Sequence, residues 1–239
     1  MRRQYGILMA GLCAAVLASA AASAERATVA QPMSKPGDGV FADAIRAFSG
    51  GTTVELPGSG TVRLSARVII GFQQDPVRRL ELQDGTTLYW GWQHRQAFVR
   101  SVAVTGPDGQ VRLVAAARDL PRILNLRSGR AIASPGEYDA YLQGRVDNDK
   151  APSLVVVAQD QNALHAHYPL VRRWVQASAL GFNADCSDPA QARSCAFAEA
   201  IEVPATALAV GCGSGHANDC PLSLPEGTAT DVPLEAFRQ

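Results

Sequence analysis

Three hydrophobic patterns succeed one another along the chain. The first is an apolar run from Ile7 to about Ala18, preceded by Arg2-Arg3 and followed by Ala22-Ser23-Ala24. A positive n-region, a short apolar segment and a small-residue cleavage site together make a secretory signal peptide, so residues 1–24 are read as a leader cut before Glu25. A membrane-spanning helix needs about 20 apolar residues. This run is shorter and largely Ala, and nothing later is apolar for long enough, so no membrane span is expected after cleavage. Bulky Leu12 before Cys13 argues against a lipidation box. Residues 25–39, broken by Pro32, Pro36, Gly37 and Gly39, read as a flexible lead-in.

The second pattern is helical. Val40, Phe41, Ala44, Ile45 and Phe48 fall on one face of a short helix that ends at Gly50-Gly51. From residue 52 a third pattern takes over, β-branched and apolar. Thr52 to Leu56 and Thr61 to Phe72 are predicted strands. Val77 to Leu82 and Thr86 to Trp92 flank Asp84-Gly85, while Phe98 to Val104 and Val111 to Ala116 flank Pro107-Asp108-Gly109. Asp-Gly supplies the positive φ angles that tight hairpins demand, so two successive hairpins form a meander.

Beyond Leu120-Pro121 the pattern loosens. Ser134 as cap with Pro135 in the first turn predicts a short helix ended by Gly144 and Asp147-Asn148-Asp149. Leu154 to Ala158 reads as a buried strand. Leu170, Val171, Trp174, Val175 and Ser178 share a helical face starting at Pro169, and Thr206 to Val210 is the one strand expected in a cysteine-bridged tail. The expected fold class is α+β and β-dominated: an antiparallel meander of hairpins, two or three short helices and a disulfide-stapled C-terminal region. Residues 40–239 are read as a single globular domain, with 147–152 as an alternative sub-boundary.

Removing the leader changes the charge and the cysteine count. It takes Arg2 and Arg3 and leaves 20 basic against 22 acidic residues, a formal charge of −2. That balance argues against nucleic acid as a partner, which needs clustered positive charge. The 20 Arg against 2 Lys read as a compositional bias, because the arginines are scattered and Arg78-Arg79 and Arg172-Arg173 are too short to make a patch. Without Cys13 an even four cysteines remain, which in an exported protein points to disulfides. Cys186–Cys195 and Cys212–Cys220 are the favoured pairs, each enclosing a short polar segment. Their C-x8-C and C-x7-C spacings do not match the C-x2-C pairs of structural zinc sites.

Candidate chemistry is sparse. His165-Ala166-His167 places two imidazoles on one side of a strand, and Asp160 or His216 as third ligand would complete an open zinc site. Ser214 beside His216 lacks the G-x-S-x-G order of a nucleophile elbow, and turn chemistry explains its flanking glycines. Trp90 and Trp92, two apart on a predicted strand, form either a stacking platform for sugars or peptides or part of the core; Gly91 between them marks a bulge or a close backbone approach. The expectation is an exported bacterial protein, periplasmic or secreted, acting as a non-catalytic binding or accessory module with an envelope or extracellular partner. The alternatives are a metal-dependent hydrolase using His165 and His167, and a carbohydrate- or peptide-binding module using Trp90 and Trp92.

Overall fold

A computed structural model describes residues 39–56, 60–73, 77–125, 128–211, 220–227 and 230–238. The leader, nearly all of the lead-in, Cys13, Cys212, Ser214 and His216 lie outside these residues. The chain opens with helix α1 (Gly39–Ser49), which buries Phe41, Ile45 and Ser49 at four-residue spacing. Strands β1 (Thr53–Leu56) and β2 (Gly60–Arg63) form a small antiparallel hairpin in which Val54 faces Val62.

The strand expected over Thr61 to Phe72 stops at Arg63, and Leu64–Ile70 is helix α2. Its β-branched residues carried the strand expectation, but Leu64 and Val68, four apart, are both buried. They pack beside Phe41 and Ile45, so tertiary packing overrides the β propensity of Val68, Ile69 and Ile70.

The meander follows as expected: β3 (Arg78–Glu81), β4 (Thr87–Gln93), β5 (Gln96–Thr105) and β6 (Val111–Arg118), all antiparallel. Gly85 and Gly109 take left-handed φ values of 83° and 74° at the two Asp-Gly turns. A minor hairpin, β7 (Leu124–Asn125) with β8 (Arg130–Ala131), leads to helix α3 (Pro135–Val146). Ser134 is its N-cap residue but makes no side-chain cap; Glu137 accepts from the Ala133 N–H at 3.2 Å instead. The helix also runs through Gly144 to Val146.

Strand β9 (Ser153–Ala158), helix α4 (Gln161–Ala179), helix α5 (Pro189–Ala200) and strand β10 (Ala205–Ala209) complete the sheet, with a final 3-10 turn at Leu234–Phe237. The main sheet has the order β10-β9-β6-β5-β4-β3. The fold is thus α+β and sheet-rich, with more helix than expected: α4 begins eight residues before Pro169 and carries that proline in its interior. β10 pairs parallel to β9, which requires the α4–α5 crossover between them. α5 lies where bridged loops were expected; Asp188 caps it and Pro189 opens it, but its apolar residues lack helical periodicity. Residues 147–152 join α3 to β9, and β9 pairs directly with β6, so the strands before and after that stretch belong to one sheet.

Each face of the sheet buries a core. Leu88, Trp90, Val102, Val104 and Leu113 meet Leu164, Val171 and Trp174 of α4 on one side. Tyr89, Ala103, Val114 and Val155 meet α1 and α2 on the other. Gly91 marks a close approach, as the sequence allowed: a Cβ there would lie 2.8 Å from the Gly71 carbonyl oxygen. At the β10 edge, Leu222 N–H donates to Ala207 O (2.8 Å) and Ala209 N–H to Cys220 O (2.9 Å). At the opposite edge, β3 carries Arg78, Arg79 and Glu81, charges that discourage further strand pairing.

Candidate functional site

The sequence-derived candidates fall in separate places. Asp160 is the N-cap of α4, accepting from Ala163 N–H at 2.8 Å. His165 and His167 follow on that helix, not on a strand, so the premise that brought them together fails: residues two apart on an α-helix point about 200° from each other. His167 is half-buried, and its pKa is lowered by that burial and by Arg112, with Asp84 acting in the opposite direction. Among the described residues no group of three or more His, Cys, Asp or Glu is placed to hold a metal ion.

His165 has a different engagement. The Gln161 side chain pairs twice with Ser223: Nε2 donates to Ser223 O (2.7 Å), and Oε1 accepts from Ser223 N–H (3.0 Å). That fixes the amide orientation, so the 2.6 Å contact from Gln161 Nε2 makes His165 Nε2 the acceptor. The imidazole is then the Nδ1–H tautomer.

Trp90 is 3% exposed and packs against Phe182 and Phe237 with ring centroids 6.1 and 5.5 Å away. It is part of the core, while Trp92 is half-buried, so the two indoles do not form an open platform. Cys186 and Cys195 are bonded, with Cα atoms 5.6 Å apart; the bond ties the turn before α5 to that helix. Cys220 is also disulfide-bonded, and the pairing expected with Cys212 falls on residues outside those described.

The strongest concentration of function-bearing side chains joins positions the sequence left scattered. A cavity of about 500 Å³ opens between the start of β5, the end of β6 and the C-terminus of α3. Arg100, Arg118, Arg122, Arg145 and Lys150 line it against two acids, Asp119 and Asp149. The local balance is therefore +3 in a chain of zero formal charge.

These cations are not equivalent. Asp119, 8% exposed, pairs with Arg145 at 3.0 Å and Arg118 at 3.3 Å. Arg145 also donates to Tyr141 Oη, Lys150 O and Asp119 O, so it is fully engaged in holding the end of α3. Arg100, Arg122 and Lys150 have no carboxylate within ion-pair distance among the described residues. Arg100 donates to Ala97 O and Ser178 Oγ and lies over the Phe182 ring. Burial, with help from Arg122, pushes its pKa down to about 10. On the opposite sheet face Arg67 reaches the Arg100 and Ala117 carbonyls, and burial with Arg118 nearby lowers it likewise to about 10. Both remain protonated at neutral pH, and neither has a carboxylate within ion-pair distance among the described residues. For Arg100, which lines the cavity, that is unfavourable until an anion arrives.

The surrounding backbone is unusual at the same place. Asp119 and Asp149 both have φ of 55°, and Phe182 beneath Arg100 has 62°. Left-handed non-glycine residues persist where the surrounding structure over-determines them, and they cluster at binding sites. Gly181, with φ of 74°, lets Arg122 lie against the backbone: a Cβ there would sit 2.5 Å from Arg122 Nη2. A second cavity of about 540 Å³ beneath α4 lacks this character, because its Arg172 is paired with Glu202 at 3.1 Å.

No spacing in the sequence announces the pocket, whose cations come from β5, the end of β6, the β6–β7 connection, α3 and the stretch after it. The nearest signal is Asp147-Asn148-Asp149, which reads as a helix stop and as the start of the alternative boundary at 147–152. No protein-family model, curated protein or solved structure matches this chain.

Proposed function

We propose that this is an exported binding protein, periplasmic or secreted, whose ligand is an anion held in the arginine-lined pocket. The observation that carries the reading is the trio Arg100, Arg122 and Lys150, gathered around one cavity without carboxylate partners among the described residues. The leader pattern and the Cys186–Cys195 disulfide support an oxidising destination outside the cytoplasm. The lining offers donors for charge-assisted hydrogen bonds and no paired nucleophile and base, which favours binding over turnover. The cations line a concavity instead of spreading over a surface, so a small anion suits them better than a nucleic-acid backbone.

The test uses the full chain expressed with its leader and recovered from outside the cytoplasm. Its N-terminus should be Glu25, and titration calorimetry with inorganic phosphate should show saturable binding. Hydrogen bonds to charged groups contribute about 1.5–3 kcal/mol each, so Arg122→Ala should weaken phosphate roughly tenfold or more. Arg46→Ala, on α1 and outside the pocket lining, should change nothing. Equal affinity in wild type and Arg122→Ala, with both proteins folded by their thermal melts, would overturn the anion site. An uncut leader would overturn the export.

A further inference from the structure

The pocket is too large and too divided for a bare inorganic ion. A tetrahedral oxyanion takes roughly the room of two or three waters at about 30 Å³ each, against a cavity of about 500 Å³. That volume lies within the range of sites for small organic molecules, where a few placed polar groups orient an otherwise apolar body. Here the polar groups crowd one side, and Ala97, Phe98 and Leu120 supply apolar wall.

Phe98 is the informative member of that wall. It is 42% exposed at the solvent end of β5, one of the few large apolar side chains so open among the described residues. The Arg118 guanidinium lies 5.7 Å from its ring centroid, so the ring is braced from one direction by a planar cation that Asp119 itself holds. At 42% exposure the ring is only partly covered by its own fold, which leaves apolar surface in water that a ligand can bury. A rigid ring beside unpaired cations is a surface on which a flat π-system can stack while its charged group reaches the guanidiniums.

On the reading that the pocket holds an anion, we infer that the ligand is an aromatic anion: a planar ring against Phe98 and a phosphate or carboxylate among Arg100, Arg122 and Lys150. The two head groups share the same recognition chemistry, and the ring is what separates this ligand class from aliphatic anions of equal charge.

Two matched pairs test it by calorimetry on the mature chain: phenyl phosphate against cyclohexyl phosphate, and benzoate against cyclohexanecarboxylate. The aromatic member of at least one pair should bind roughly three- to tenfold tighter, the range expected of an aromatic stacking contact. Whichever pair shows the preference names the head group. Phe98→Leu, which keeps apolar volume at a partly exposed position, should bring that ratio to about one. If all four probes bind and the members of each pair bind alike, or if the ratio survives in Phe98→Leu, the aromatic ligand is excluded and the anion site stands. If none of the four binds while inorganic phosphate does, the aromatic ligand is excluded and the anion site stands; if phosphate fails too, the anion site falls with it.

Discussion

Asp119 shows how much of this protein's energetics rests on single residues. It is buried, it sits in a left-handed conformation, and it accepts from two arginines. Its backbone N–H continues the sheet by donating to Phe98 O at 2.9 Å. An L-residue with a Cβ loses about 1–2 kcal/mol in this conformation, and Asp and Asn tolerate it best. Removing one partner of a buried ion pair costs about 3–5 kcal/mol. Asp119→Asn should therefore destabilise the protein by roughly 1–3 kcal/mol, because the amide keeps the backbone preference and one acceptor. Asp119→Ala should cost about 1 kcal/mol more. Because Asp119 is one of the two carboxylates in the pocket and the one that pairs with its arginines, Asp119→Asn should also bind phosphate several-fold more tightly. Urea denaturation and calorimetry on the same samples separate the two effects. A tighter-folded Ala variant would refute the ion-pair account, and weaker phosphate binding by the Asn variant would refute the competition.

Elements were legible where local chemistry dictates them. The two Asp-Gly hairpins, the amphipathic face of α1 and the apolar run of β9 each carry a signal within a few residues. α2 and the first half of α4 were not legible, for different reasons. α2 is a β-branched run turned helical by the surface it packs on. Pro169 marks a helix start when read locally, yet the helix extends through it, supported by Leu164, Tyr168 and Val171 in the core. The first turns of α4 have a further duty that no periodicity reveals. Gln161 grips Ser223, and the neighbouring Cys220–Leu222 segment covers the edge of β10. Gln161→Ala removes these bonds and leaves β10 itself paired to β9. Amide exchange at Leu222 and Ser223 should accelerate roughly tenfold, for about 1–2 kcal/mol of lost local stability, while exchange in β9 stays slow. In the unaltered protein, nitrogen NMR of His165 should show the Nδ1–H tautomer; an Nε2–H tautomer would contradict the clamp.

At the scale of the whole molecule the candidate site was illegible, since its residues meet only once the meander, α3 and the α4–α5 connection are assembled. Scattered arginines carried no pattern because the pattern is three-dimensional. One of the expected cysteine pairs, Cys186–Cys195, follows in sequence the segment that packs on Arg100 and Arg122. The last turn of α4 supplies Ser178 Oγ to Arg100, and the connection after it supplies the Phe182 ring beneath Arg100 and the Gly181 backbone against Arg122. Four residues after Phe182, Cys186 is bonded to Cys195 at a sequence separation of 9. A loop of that size contributes about 2–3 kcal/mol in the chain-entropy model, and the bond anchors the turn that follows the segment packed on Arg100 and Arg122. Replacing both cysteines by serine should thus have two consequences: about 2–3 kcal/mol lost in urea denaturation, and phosphate affinity lowered several-fold at temperatures where the variant remains folded. Stability lost with affinity intact would mean that Phe182 and its neighbours hold their positions by core packing alone. Both lost together would make the disulfide a brace for the binding site as well as for the fold.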